Sequence, residues 1–253
     1  MFVGGKIVTE SSNPTPVVML ICVLGLNTAC MTGKDVAVSE PNDVAAAQQP
    51  VTSPEGSSKS PDIALPSNDD WEVYSSRSLE PNTYLGNAQL VCANSVASAG
   101  CPAEAVQYNL GGSGWAARID ACGGQSRWIW APGVTAESTP AEMAEYYFAT
   151  YFSVSKRPAT ALVHLAVDDQ AEVIVNGTAM GTVGSTSDYG LAWGAHDKPT
   201  TIDIKNALIT GRNTITIRAA NGAGGFAVCS NCTYQQHPAG VVACVDVWYK
   251  QSP

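Results

Sequence analysis

From about residue 145 onward, apolar and polar positions alternate with a period of two, the pattern of strands that bury one face. In Glu145-Tyr146-Tyr147-Phe148-Ala149-Thr150-Tyr151-Phe152-Ser153-Val154, the residues Tyr146, Phe148, Phe152 and Val154 fall on one side. Between Ala161 and Asp169, Val163, Leu165 and Val167 point one way and His164 the other. Glu172-Val173-Ile174-Val175 leads into Asn176-Gly177, a pair suited to the positive φ angles of a tight hairpin turn. Thr214 to Ala219 alternates with Ile215, Ile217 and Ala219 inward, and a final strand runs from Gly240 to Tyr249. Helical candidates are confined to Pro140–Ala144 and a turn around Lys205-Asn206-Ala207-Leu208. Many short strands punctuated by Gly, Pro, Asn and Asp predict an all-β sandwich.

The aromatic residues set its limits. Of 4 Phe, 6 Trp and 9 Tyr, all but Phe2 lie at or after Trp71. Residues 30–70 are rich in Ser, Pro, Ala, Asp and Gln, too poor in apolar surface to offset chain entropy, and read as a disordered tether. Before it, the apolar run from Val17 to Leu26 is too short for a membrane span and suits a signal peptide. Its ending, Leu26-Asn27-Thr28-Ala29-Cys30, resembles a bacterial lipobox, which implies a lipid on Cys30 and a domain anchored at the outer membrane or cell surface. An ordinary secretory signal and a secreted protein are the alternative. The chain thus divides into a signal peptide (1–29), a tether (30–70) and a β-sandwich (71–253).

Charge narrows the partners. Lys and Arg total 13 against 22 Asp and Glu, a net charge of −9, which argues against nucleic acid because that needs clustered positive charge. The 8 cysteines suit an exported, oxidising compartment. Apart from Cys22 and Cys30 they are Cys92, Cys101, Cys122, Cys229, Cys232 and Cys244. Cys92 with Cys101 and Cys229 with Cys232 would close short loops, leaving Cys122 and Cys244 as a long-range pair.

Several residues are candidates for chemistry. Asp168 and Asp169 are neighbours at a strand end, so their side chains face opposite ways and do not suit an acid–base pair; one of them could coordinate calcium or accept from a sugar hydroxyl, or they could cap strand-end N–H groups. Cys229-Ser230-Asn231-Cys232 reads as a disulfide loop in preference to a redox pair or, with His237 and Cys244, a zinc site. His164, mid-strand, reads as a packed or exposed neutral residue. The segment from Tyr189 to Asp197 reads as a loop carrying Tyr189, Trp193, His196 and Asp197, a ring for stacking beside polar groups for hydroxyls; Trp193 could equally plug the core. Trp115, Arg118, Trp128 and Trp130 form a second cluster, with Trp128 and Trp130 placed on one face by their spacing around Ile129. No nucleophile elbow, phosphate loop or His-Glu-x-x-His is present.

The stretch from Tyr151 to Asn221 resembles galactose-binding-like jelly-roll domains, including sugar-binding modules attached to glycoside hydrolases. The residues that carry the likeness are Tyr151-Phe152-Ser153-Val154, Val167 to Gly177 with the acidic pair Asp168-Asp169 and the Asn176-Gly177 turn, Thr201-Ile202-Asp203-Ile204, and Leu208 followed by Gly211-Arg212-Asn213-Thr214-Ile215-Thr216-Ile217. The resemblance implies a single jelly roll and a non-catalytic, lectin-like carbohydrate-binding module. A structural or adhesive surface protein using the sandwich for protein contact or self-association is the alternative. The partners expected are a glycan and, through the lipid, a membrane, with calcium as the one cofactor to consider.

Overall fold

The long alternating runs become the central strands of two sheets. The computed structural model describes residues 60–94, 101–109, 115, 117–141, 143–222 and 231–250. In chain order the strands are β1 (Ile63–Pro66), β2 (Glu72–Tyr74), β3 (Tyr84–Asn87), β4 (Gln89–Asn94), β5 (Val106–Asn109), β6 (Ile129–Trp130), β7 (Glu145–Val154), β8 (Thr160–Asp168), β9 (Gln170–Val175) and β10 (Thr178–Gly184). A helix, α1 (Tyr189–Asp197), precedes β11 (Thr200–Asp203), β12 (Gly211–Ala220) and β13 (Gly240–Trp248). One sheet runs β11-β8-β13-β6-β4-β5, the other β10-β9-β12-β7-β2-β3. β8 pairs along the whole of β13, so β1 and β6 share its other edge. The result is an all-β sandwich.

The inward faces are those the alternation predicts. Phe148, Phe152 and Val154 from β7, Val163, Leu165 and Val167 from β8, and Ile215, Ile217 and Ala219 from β12 join one buried cluster. Trp130 lies at its centre, fully buried against Phe148, Tyr146 and Tyr234. Its spacing partner Trp128 is only half-buried, because β6 begins at Ile129 and the pleat does not reach back to it. The two tryptophans therefore do not act as a pair.

Asn176 (φ 50) and Gly177 (φ 83) form the turn between β9 and β10. Asn176 Nδ2 donates to Ala207 O and to Asn213 Oδ1, and its Oδ1 accepts from Thr214 N. Asn213, almost fully buried, donates in turn to Ile209 O and Gly211 O. These bonds explain why an Asn-Gly and a Gly-x-Asn recur together in this stretch: one amide network ties the hairpin to the start of β12. Nothing lies within 4 Å of a Cβ built on Gly177, so Gly177→Val should cost only the backbone strain, about 1–2 kcal/mol, read as a lowered melting temperature. Unchanged melting would contradict this.

Three expectations need correction. The folded part begins before Trp71: β1 pairs with β13 from Ile63↔Val247 to Pro66↔Cys244, so the tether cannot extend to residue 70. A four-residue edge strand without clear alternation gives no periodic signal. Of Pro140–Ala144, the described residues 140, 141, 143 and 144 are not helical, and Ala144 N donates to Ala141 O in a turn. Tyr189–Asp197 is a helix and not a loop, started by Asp188, whose side chain accepts from Leu191 N. Two of the expected disulfides are present, Cys92–Cys101 and Cys122–Cys244. Cys232 is also disulfide-bonded, while Cys229 lies outside the described residues, as do Cys30 and the whole of 1–59.

Candidate functional site

β13 is buried on both faces, which a one-sided sandwich strand would not be. The cover on its outer face is the segment 117–124. Ala117 and Ile119 pack with Cys122 on Ala166, Val242 and Cys244, while the alternate residues Arg118 and Asp120 are exposed. The Cys122–Cys244 bond fixes this flap to the sheet.

Beside it opens a cleft of about 630 Å³, whose lining includes Trp115, Trp128, Arg118, Arg127, Asp120 and the Cys92–Cys101 disulfide. Trp128 stacks on Trp115 with ring centroids 4.3 Å apart and an interplanar angle of 26°. Gly240 is the floor that permits this: a Cβ there would stand 2.5 Å from Trp115 Cη2 and 3.1 Å from Trp128 Cε3. Trp115 is further held by its backbone N–H on Ala93 O and by its indole Nε1, which donates to Asp168 Oδ2 at 2.7 Å. Arg127 is tied to the sheet through Ser67, whose buried Oγ donates to Arg127 O and accepts from Ala243 N.

Behind Trp115 lies a buried polar cluster. Asp168 ends β8 in one sheet and Gln170 begins β9 in the other, so Asp169 sits at the corner where the pleat has ended. Its side chain therefore does not alternate away: the two carboxyl groups stand side by side, across a cis peptide bond, which corrects the expectation of opposite faces. Burial, the charge of Asp168 and a hydrogen bond to it push the Asp169 carboxyl up to about 8, although Gly222 N–H donates to its Oδ2. Asp169 is therefore the member of the pair whose protonated form is favoured, and in that form it donates to Asp168.

His196, in the last turn of α1, lies with Nδ1 3.8 Å from Asp168 Oδ1 and Nε2 3.7 Å from Asp197 Oδ1. These are charge-pair distances and not formed hydrogen bonds. Burial disfavours the imidazolium, but Asp168 and Asp197 outweigh it and the His196 pKa is raised. Trp193 packs edge-on over His196 at 4.8 Å and remains 43% exposed. The Tyr189 side chain lies outside what is described.

The two clusters are thus joined through the Trp115–Asp168 bond, and the Trp115 cluster opens to solvent as a cleft. Trp115, Arg118 and Trp128 line it; Trp130 belongs to the core; His196, Asp168 and Asp169 are each less than 10% exposed and support the site from behind. Trp193 is on the surface of α1 and is not a core plug. Within the acid pair, Asp168 Oδ2 accepts from Trp115 Nε1–H and Asp169 Oδ2 accepts from Gly222 N–H, so N–H donors meet both carboxyl groups. The one cluster of metal-ligand type among the described residues is Cys122, Cys244 and Asp246, whose sulfurs are bonded to each other. His164 is packed, as read, with Nδ1 2.9 Å from Thr201 Oγ1 and its pKa lowered by burial. Arg127, Asp120, Ser67 and Gly240 were not singled out as site residues. Adjacency to Trp128 flags Arg127; Ser67 has no local signal because it bonds Arg127 across 60 positions, and Gly240 acts by lacking a side chain.

No protein-family model matches the chain, and no curated protein does. Among solved structures, an α-L-rhamnosidase from Streptomyces avermitilis complexed with L-rhamnose is similar at 23% identity over 47% of this chain and 10% of that one, with a TM-score of 0.35. A β-glucuronidase from Bifidobacterium dentium is similar at 14% identity over 76% of this chain and 31% of that one, with a TM-score of 0.36. A putative β-galactosidase from Bacteroides fragilis gives 14%, 72%, 23% and 0.32 in the same order. The chain spans less than a third of the length of each.

Proposed function

We propose that the chain is a non-catalytic carbohydrate-binding module of the galactose-binding-like kind, and that the cleft at Trp115 and Trp128 is its sugar site. The observation that carries this reading is the stacked indole pair at the wall of a cleft edged by Arg118, Arg127 and Asp120. A flat apolar ring takes the C–H face of a pyranose while charged groups at the rim bond its hydroxyls. The absence of a facing partner for Asp120 supports the non-catalytic reading. Among the described residues it is the one carboxylate lining the cleft, whereas glycoside hydrolysis uses two, about 5–10 Å apart. The lipobox-like sequence at Cys30 supports display on a bacterial surface through a lipid anchor.

A glycan-array screen of the full chain, purified oxidised, tests the reading. Trp128→Ala, at a half-buried position, should keep the fold and lose about tenfold or more in affinity for any glycan bound. Retained affinity in a folded Trp128→Ala protein would move the site elsewhere. Absence of binding across the array would favour a protein-contact role.

A further inference from the structure

The chain carries a net charge of −9, yet two guanidinium groups converge on the one cleft that the stacked indoles form. Arg118 is exposed, projects from a segment whose alternate residues are buried, and makes no hydrogen bond or ion pair among the described residues. Arg127 is pre-positioned and not neutralised. Its Nη1 donates to the carbonyls of Gly124 and Ser126 at 3.2 and 3.1 Å, which are uncharged acceptors, and its backbone is clamped by Ser67. Asp120 is the single opposing charge on the lining and pairs with neither arginine. A chain of net negative charge thus keeps two arginines that pair with no acid among the described residues beside an aromatic wall.

Resting on the glycan reading above, we infer that the ligand is an anionic saccharide, recognised by stacking of a sugar ring on Trp128 and by charge-assisted hydrogen bonds from Arg118 and Arg127 to a carboxylate or sulfate it carries. Guanidinium is the side chain that meets such groups in a planar, two-point geometry, and these bonds are about twice as strong as neutral ones. A neutral pyranose would leave both cations without a counter-charge. The net charge of −9 sharpens the choice, because long-range repulsion of an anion must be offset locally, as two guanidinium groups beside a single acid would do.

The test is calorimetric titration of the full chain with two matched pairs of oligosaccharides: an oligogalacturonate and its fully methyl-esterified form, and a sulfated galacto-oligosaccharide and its unsulfated, neutral form. At about 50 mM salt the uronate should bind about tenfold or more tighter than its methyl ester, and the gap should narrow at high salt as the charges are screened. Arg118→Gln should weaken the uronate several-fold more than the methyl ester and so narrow the preference, and the Arg118→Gln, Arg127→Gln double variant should remove it. A sulfated ligand that gains as much over its neutral form assigns the anion to sulfate and also upholds the inference. Equal affinity for charged and neutral forms would overturn the inference and leave the glycan reading standing. No binding to any of them, with the array also blank, would overturn both.

Discussion

Gly184→Ala should yield little or no folded protein. Gly184 closes β10 at φ +75, a region L side chains rarely adopt, and a Cβ there would stand 1.9 Å from the backbone oxygen of Asp169 and 3.0 Å from Ala195 Cβ. The first obstacle is backbone, held in place on both sides. Asp169 N donates to Ala220 O, and Asp169 O accepts from Ser185 N. Relief requires the corner between β8 and β9 to separate from the end of β10, which would also move α1 and unseat the Asp168–Trp115 bond. Several kcal/mol from one methyl group is exceptional for a point substitution and is a large part of a typical domain's stability of about 5–15 kcal/mol. The control is Gly177→Ala, at a comparable φ but with open space, which should cost only about 1 kcal/mol. Chemical denaturation of the two variants side by side decides the matter; a Gly184→Ala protein as stable as Gly177→Ala would show that the corner is looser than its contacts imply.

That corner also marks the limit of what the sequence makes legible. β7, β8, β9 and β12 are readable because each has an alternating run whose apolar face is wanted by the same core, and β13 because its run is apolar almost throughout. β1 and β3 are not, since four-residue strands at partly exposed positions bury too little for alternation to be selected. α1 escapes notice because Gly190 and Gly194 lower its helix propensity and its apolar residues do not form one face, although Asp188 is an ordinary N-cap and could have announced it. The cleft is half legible. Its tryptophans and Arg118 stand out as residue types, but what orients them is long-range. Asp168 reaches Trp115 across 53 positions, and Gly240 contributes by what it lacks. The acid pair departs from alternation for a related reason: the pleat ends at Asp168, one residue before the chain enters the other sheet at Gln170.

Because Asp169 holds its proton up to about pH 8 in the folded chain and only to about 4 when unfolded, the fold binds more protons than the unfolded chain between those limits, and its stability must fall as pH rises. His196 acts in the same sense. Its raised pKa gives a contribution fully present below its ordinary 6.5 and lost as pH rises through the folded value. Burial raises the Asp246 pKa too, again favouring the more acid side. Opposing groups act lower down. His164, kept neutral by burial, costs stability below 6.5, and Glu145, whose pKa is lowered by Arg218, costs stability as pH falls through the carboxylate range. The clean window is therefore pH 6.5–8.5, where each proton held by the fold alone is worth up to about 1.4 kcal/mol per pH unit. The melting temperature should drop across it by at least about 4 °C. Asp169→Asn should remove most of that slope: an amide oxygen still accepts from Gly222 N–H, and the amide NH₂ replaces the shared proton as donor to Asp168. At pH 8.5 the variant should be the more stable protein, an unusual sign for a substitution at a buried residue. Since Asp168 is the group that holds Trp115, the same change should also flatten any pH dependence of ligand binding in the cleft. Equal melting slopes for Asp169→Asn and the parent would show that the proton is not held where the geometry puts it.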